Sequence, residues 1–467
     1  MNFLIEGDNL ASLQLLEKTH KSKIDLIYID PPYNTGNKDF IYDDKYVHGD
    51  DSYKHSKWLS FMEKRLNLAK RLLSKSGIIF ISIDDNEQAQ LKILCDFIFG
   101  SNNFIDEFIW EKNPNPTFLN KYSRSSCEYV LCYANNISYL PGLDGGAIKS
   151  TETDAPLQNK GNPLRQIVIR KNVANCKFKD QIIKKGKYGL IELLDDVQIK
   201  NGTNTNQFRI VGTFRMTEKT LYERIEKGEK LIFKTNKMAP RLSYKAGDNH
   251  FAPLKYFKSD ICGTTQIGNN DLKQFINTKE FSYPKPVSLI KYIIQLYPFK
   301  KGITILDFFA GSGTTAQAVL ELNSIDNLSR KFILCTNNEN NICKNVTYKR
   351  IKGVIEKLNC NNSLKYMKVD FIQITDKFYY EYANELLKNV KELVELENGI
   401  NFNGNKELAI ILTEKELDEF ANHIPSECKI IYLGHNILPT EEQEMLFKKN
   451  EIKVNIIPDY YYRDLEN

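Results

Sequence analysis

Nowhere in this chain do ~18 apolar residues follow one another, so no membrane-spanning helix is expected. The start, Met1-Asn2-Phe3-Leu4-Ile5-Glu6-Gly7-Asp8, has neither the basic leader nor the long apolar segment of a secretory signal. The nine cysteines include no CxxC pair, and the closest two, Cys127 and Cys132, share one expected strand. That usage fits buried thiols in a reducing cytoplasm, and neither a disulfide framework nor a zinc site. Six histidines fall into no HExxH or other ligand spacing, so no structural or catalytic metal is expected. A GxxxxGKS or GxxxxGKT loop is missing too, which disfavours ATP hydrolysis on a phosphate cradle.

What the chain does have is ordinary bulk and an uneven charge. At 467 residues it has room for about two or three domains. Its 42% hydrophobic and 26% charged residues are the balance of a soluble globular protein. The net charge is +5, yet residues 160–245 hold 20 Lys and Arg against 8 Asp and Glu, the bias of a segment that faces nucleic acid. Residues 361–467 reverse it, 12 basic to 20 acidic, and would be repelled by phosphates.

The organising stretch is Asp30-Pro31-Pro32-Tyr33, at the end of the apolar run Ile24-Asp25-Leu26-Ile27-Tyr28-Ile29. The run reads as a short buried strand whose ladder two prolines cannot continue. Open α/β sheets bind ligands at that edge. A carboxylate, a rigid turn and an aromatic ring thus meet at the mouth of a candidate site; a tight turn with a capping Asp is the plainer alternative. Around it come a strand at 2–5, a helix after Asp8 or Asn9, a polar, mobile loop from Asn34 to about Lys54 and a helix over about 55–73. Strands follow at 78–83, 104–110 and 129–133, and the alternation argues a parallel sheet with helices on both faces. An irregular insertion occupies 136–262, alternation resumes over 263–362, and 363–467 read as a small α/β end domain.

A second anchor is the strand Ile303-Thr304-Ile305-Leu306 with the loop Asp307-Phe308-Phe309-Ala310-Gly311-Ser312-Gly313-Thr314-Thr315, which opens a helix. Gly311 and Gly313 let the backbone approach a ligand, and the helix offers its positive N-terminus. Glu339, at the end of the next strand, could hold a pair of ribose hydroxyls or simply sit at a helix N-terminus.

Together, Asp30-Pro31-Pro32-Tyr33-Asn34-Thr35-Gly36 and the glycine loop resemble the DNA amino-methyltransferases that modify adenine N6. In the subgroup with this motif order, the catalytic motif precedes a variable region and then the cofactor loop; it includes the modification subunits of type III restriction–modification systems. The resemblance covers about residues 1–360. It implies a Rossmann-like, S-adenosylmethionine-dependent methyltransferase fold with permuted motif order. Its mostly parallel seven-stranded sheet would be built from 1–135 and 263–362, with an inserted target-recognition domain at 136–262.

The resemblance also implies roles. Phe309, Gly311 and Gly313 match the S-adenosylmethionine loop, with Asp307 at the strand end, and Glu339 matches the acid that accepts from the ribose hydroxyls. Asp8 matches the reader of the cofactor's adenine amino group, and Lys285, in Phe281-Ser282-Tyr283-Pro284-Lys285-Pro286, lies in the segment against its methionine part. Asp30 would accept one hydrogen of the target amine and the Pro31 carbonyl, held by the proline pair with Pro32, the other. Tyr33 would stack on the base, with Asn34 on the substrate side. The base must be flipped out of the duplex; the product is S-adenosylhomocysteine, with no metal and no covalent intermediate. In the basic insertion Arg165, Arg170, Arg209, Arg215 and Arg241 are candidate contacts to phosphates or base edges, against a plain solvated basic face. Tyr122, Ser123, Arg124 and the loop 34–54 would close over the base.

Methylation of cytosine N4 uses the same amine logic, although Asp at the head of the motif favours adenine because Ser is commoner in the cytosine enzymes. A DNA-binding subunit without methyl transfer is the alternative from another class. A protein-glutamine methyltransferase is disfavoured because its signature begins with Asn. The chain shows no nuclease motif and no helicase motor, so restriction would need a partner chain. The partners expected are double-stranded DNA, a restriction (helicase/nuclease) subunit and a second copy in a homodimer, with the acidic end domain as candidate contact. A cytoplasmic location without a membrane partner is expected.

Overall fold

The computed structural model describes residues 1–36, 40–42, 45–49, 51–116, 121–145, 153–244, 251–276, 281–359, 363–371 and 379–458, and of 41–46, 153, 244 and 379–388 the backbone alone. Contacts divide the chain into two units, Met1–Leu143 with Pro253–Asn467, and Asp144–Ala252.

The first unit is built on a nine-stranded sheet, two strands more than the resemblance implied. Along the chain its strands are β1 (Asn2–Glu6), β2 (Ile24–Ile29), β3 (Leu73–Ile83), β4 (Phe104–Glu111), β5 (Cys127–Ala134), β6 (Tyr256–Phe257), β7 (Thr304–Asp307), β8 (Lys331–Thr336) and β9 (Leu364–Lys368). They lie side by side in the order β6-β4-β5-β3-β2-β7-β8-β1-β9. Neighbours are parallel except around β5, which runs against both β3 and β4. The extra strands are the edges β6 and β9. The second of these corrects the expected boundary at 362: Leu364–Lys368 belong to this sheet, paired with β1.

The helices that cover the sheet include α1 (Asn9–His20), α2 (Lys54–Leu72), α3 (Val287–Leu296), α4 (Thr314–Asp326) and α5 (Lys349–Leu358). Because successive side chains on a strand point to opposite faces, the apolar runs Leu26–Ile29 of β2 and Ile78–Ile81 of β3 serve two cores at once. Leu26, Tyr28, Ile78 and Phe80 pack with Ile290 and Ile293 of α3 and Val319 of α4. Ile27, Ile29, Ile79 and Ile81 pack with Leu13 of α1 and Trp58 and Leu66 of α2. The central strands are buried on both faces, which is why they do not alternate with polar residues.

β2 and β7 are adjacent and parallel although some 280 residues separate them in the chain. Their C-terminal ends, Asp30 and Asp307, therefore stand next to each other. In the stretch 34–54, expected as a mobile loop, the described residues include a short hairpin, Ile41–Tyr42 with Lys45–Tyr46, flanked by the buried Phe40 and Val47. Residues 37–39, 43–44 and 50 lie outside the described residues.

Beyond β9, Leu408–Ile411, Ile430–Gly434 and Lys453–Ile457 form a separate three-stranded parallel sheet. Capping boxes at Thr413/Glu416 and Thr440/Gln443 start its two helices. The unit Asp144–Ala252 consists of a seven-stranded and a four-stranded sheet around Phe208, Phe214, Leu231 and Phe233, with one helix of its own among the described residues, Glu218–Glu226. Its short strands and sparse helix explain the loss of alternation in the sequence.

Candidate active site

Asp30 leaves β2 at the point where the two prolines end the ladder, and the turn is held from behind. Trp58 of α2, fully buried, donates its indole N–H to the Pro32 carbonyl at 2.7 Å. Asn34, buried and in the left-handed region at φ 56°, donates to the Lys54 carbonyl at 3.1 Å and to Glu87 Oε1 at 2.6 Å. The same oxygen of the fully buried Glu87 lies 2.7 Å from His55 Nδ1. Asn34, expected on the substrate side, thus directs its Nδ2 at interior partners and braces the turn. The Pro31 carbonyl accepts no hydrogen bond among the described residues.

The Tyr33 hydroxyl lies 2.8 Å from Asp30 Oδ1 and 3.1 Å from Glu128 Oε2. Lys285 Nζ donates to both Asp30 oxygens and to the Tyr33 hydroxyl, each at 2.8 Å. Glu128, at the start of β5, is 3.4 Å from Lys285 and takes Lys112 Nζ on its other oxygen at 3.1 Å. Burial alone would drive the Lys285 ammonium to give up its proton, but the Asp30 and Glu128 carboxylates outweigh it and its pKa is raised. Burial likewise opposes the charge of Glu128, yet Lys285 and Lys112 hold its pKa below the usual value. Burial, and then the charges of Asp30 and Glu128, keep the Tyr33 phenol protonated.

The glycine loop faces the same space. Gly311 and Gly313 have φ of 48° and 77°, left-handed values that a side chain disfavours. A Cβ on Gly311 would come within 3.0 Å of the Phe281 ring. Behind the loop, α5 and the turn before it lock it in place: Thr347 donates to the Gly311 carbonyl at 2.6 Å, and the buried Arg350 to Ser312 and Thr314 Oγ1. Asp307 accepts from the Phe309 N–H at 3.0 Å and the Thr315 hydroxyl at 2.6 Å.

A cleft of about 740 Å³ joins the two anchors; its walls include Asp30, Pro32, Phe40, Phe281, Phe309, Gly311 and Glu339. Asp8 lines it too, but Asp8 Oδ1 caps α1, accepting from Leu10 and Ala11, and Oδ2 is 3.4 Å from Arg65. The Glu339 carboxylate is exposed and has no partner among the described residues. Lys285, expected along the cofactor, sits at the Asp30 corner instead, because two carboxylates and a phenol converge on its ammonium. Acids along an aromatic wall, beside a loop where backbone replaces side chain, suit a cationic ligand with an aromatic ring and a hydroxylated sugar. The residues present therefore fit S-adenosylmethionine.

The arginines expected at DNA are engaged within their own unit. Arg241 pairs with Asp154, Arg209 with Asp195 at 2.8 Å, Arg165 bonds the Phe214 carbonyl and Arg215 that of Pro156, and Arg170 stacks 4.0 Å over the Tyr222 ring. Each thereby braces a strand or turn of its own unit. Tyr122 is exposed, with Lys121 5.5 Å from its ring, and Arg124 is 3.5 Å from the Pro116 carbonyl.

Sequence reasoning missed Glu128, Lys112, Glu87, Arg65 and Arg350. Glu128 had a signal, an acid at the head of the otherwise apolar run Cys127–Ala134. The others carry none that a helix or turn would not equally explain.

The family described as DNA methylase matches residues 24–347. The chain is 31% identical to the Mod subunit of the type III restriction–modification enzyme StyLTI of Salmonella typhimurium, over 77% of this chain and 58% of that protein. It is 32% identical to the type II methyltransferase M.KpnI of Klebsiella pneumoniae, over 78% of this chain and 90% of that protein. To the EcoPI Mod subunit of Escherichia phage P1 it is 30% identical, over 82% of this chain and 67% of that subunit. The chain thus spans little more than half the length of the Salmonella relative.

Proposed function

Because the chain belongs to the DNA methylase family, we propose that it transfers a methyl group from S-adenosylmethionine to the N6 amino group of an adenine flipped out of duplex DNA. The observation that carries this reading is that Asp30 and Gly311 line one cleft. Catalytic corner and cofactor loop then open onto one space, as the passage of one carbon between their ligands requires.

Bound in the cleft, S-adenosylmethionine supplies a methyl group on a positively charged sulfur. The exocyclic nitrogen is a poor nucleophile because its lone pair is delocalised into the ring. Asp30 and the Pro31 carbonyl, each accepting one amino hydrogen, draw the nitrogen towards tetrahedral geometry and return the pair to it. With the pair returned, the nitrogen would take the methyl group from the bound cofactor, which would keep the C–S pair as a neutral thioether, and the surplus proton would leave through the Asp30 carboxylate. Glu339 would hold the ribose hydroxyls, and Phe309 and the backbone at Gly311 the cofactor's body. Positioning and fixed charge do most of this catalysis. Flipping the nucleotide costs a few kcal/mol.

The basic unit Asp144–Ala252 is the target-recognition region in this reading, supported by its charge. Two relatives are named as subunits of type III restriction–modification enzymes, so a restriction subunit is the partner expected, with the end domain as its contact or as the seat of a homodimer. Incubation with unmethylated DNA, digestion to nucleosides and chromatography should reveal N6-methyladenine. N4-methylcytosine alone would replace adenine by cytosine in this reading, and no methylated nucleoside would sink it.

A further inference from the structure

The Asp30 corner holds more charge than an amine acceptor requires. Asp30 and Glu128 face Lys285 and Lys112, and Lys285 grips both oxygens of Asp30. In this arrangement the carboxylate that must accept an amino hydrogen is already taken by an ammonium, which donates far more strongly than a neutral amine. Lysine is a point charge on a flexible stem, and Glu128 Oε2 is only 3.4 Å from its nitrogen. No backbone shift is needed for Lys285 to change carboxylates.

The two acids differ in their other partners. Glu128 is shared with Lys112, whereas Asp30 has no cation but Lys285 among the described residues. Lys285 accordingly lies on Asp30, with both carboxylate oxygens at 2.8 Å. A substrate amine that takes over Asp30 releases it, and Glu128 is where it can go without leaving a buried ion unpaired.

We propose that Lys285 is a mobile cap on Asp30 and that Glu128 is a positioning residue, which receives the lysine when the substrate amine enters. This rests on the methyl-transfer reading above. Glu128→Gln keeps the shape of the site and removes the receiving charge, so Lys285 stays on Asp30. The test is single-turnover transfer of labelled methyl from S-adenosylmethionine into unmethylated genomic DNA, with cofactor affinity by calorimetry and the melting temperature measured alongside.

Glu128→Gln should slow transfer on the order of a hundredfold at unchanged cofactor affinity, and lower the melting temperature because Lys112 loses its partner. The double variant Glu128→Gln/Lys285→Met, in which no ammonium occupies Asp30, should be faster than Glu128→Gln alone. A Glu128→Gln variant at wild-type rate, one whose lost rate is matched by lost cofactor affinity, or a double variant slower than the single one overturns the proposal. Wild-type protein that labels no DNA would instead overturn the methyl-transfer reading, and this inference with it.

Discussion

The indole of Trp58 and the carbonyl of Pro32 form a 2.7 Å hydrogen bond between a fully buried helix residue and the second proline of the catalytic corner. Trp58→Phe keeps most of the ring volume and removes the donor. It should cost about 1 kcal/mol, the net worth of one hydrogen bond, and slow methyl transfer more than it weakens cofactor binding. Thermal unfolding and a methylation assay on one preparation check both.

Gly311→Ala places a Cβ at φ 48° and 3.0 Å from Phe281. The left-handed backbone alone costs about 1–2 kcal/mol, and the ring must give way. Calorimetric titration should show weaker S-adenosylmethionine binding, while DNA affinity is retained.

Glu87 is fully buried and holds both Asn34 and His55. Glu87→Ala strands the Asn34 amide, at about 1–3 kcal/mol, and loosens the residue next to Tyr33. Denaturation should show the loss, and Glu87→Gln, which retains an acceptor for Asn34, should recover part of it.

Two buried groups oppose each other in pH dependence. Burial, with a smaller push from Asp30 against the bonds from Thr315 and Phe309, moves the Asp307 carboxyl from 3.8 up to about 7. Below ~4 it is protonated whether folded or not. From there to ~7 the unfolded chain sheds a proton that the fold retains, so stability falls as pH rises, by on the order of 4 kcal/mol in all. Burial, then Lys23 and Lys331, moves His20 from 6.5 down to about 4. Its contribution is complete above ~6.5 and is lost as pH falls through ~4. In the wild type the two slopes offset each other. Asp307→Asn should expose the slope of His20, a melting temperature that climbs with pH between about 4 and 6.5.

The meeting of the two anchors was readable because each is a local pattern with a local cause: prolines ending a buried strand, and glycines where a side chain would collide. Asn34 misled, since an amide next to a catalytic tetrapeptide looks available until Glu87, over fifty residues on, claims it. For the insertion's arginines composition reports charge alone, while Asp154 and Asp195 decide which of them also have a partner within the fold. Edge strands as short as Tyr256–Phe257 have no periodicity to detect, and in the half-buried Leu364–Lys368 lysines interrupt the apolar Leu364, Tyr366 and Met367.

Strand β5 enters the sheet where its neighbours β3 and β4 leave it, since Tyr129 pairs with Ile83 and Glu128 with Trp110. A reversed strand can thus furnish a side chain to the catalytic rim from its first residues, whereas the forward strands do so only from their last. The side-chain period of a strand is two, so sliding Cys127–Ala134 by a single position would swing Glu128 to the far face. The hydrogen-bond register of one backward strand thereby determines whether Lys285 has anywhere to move.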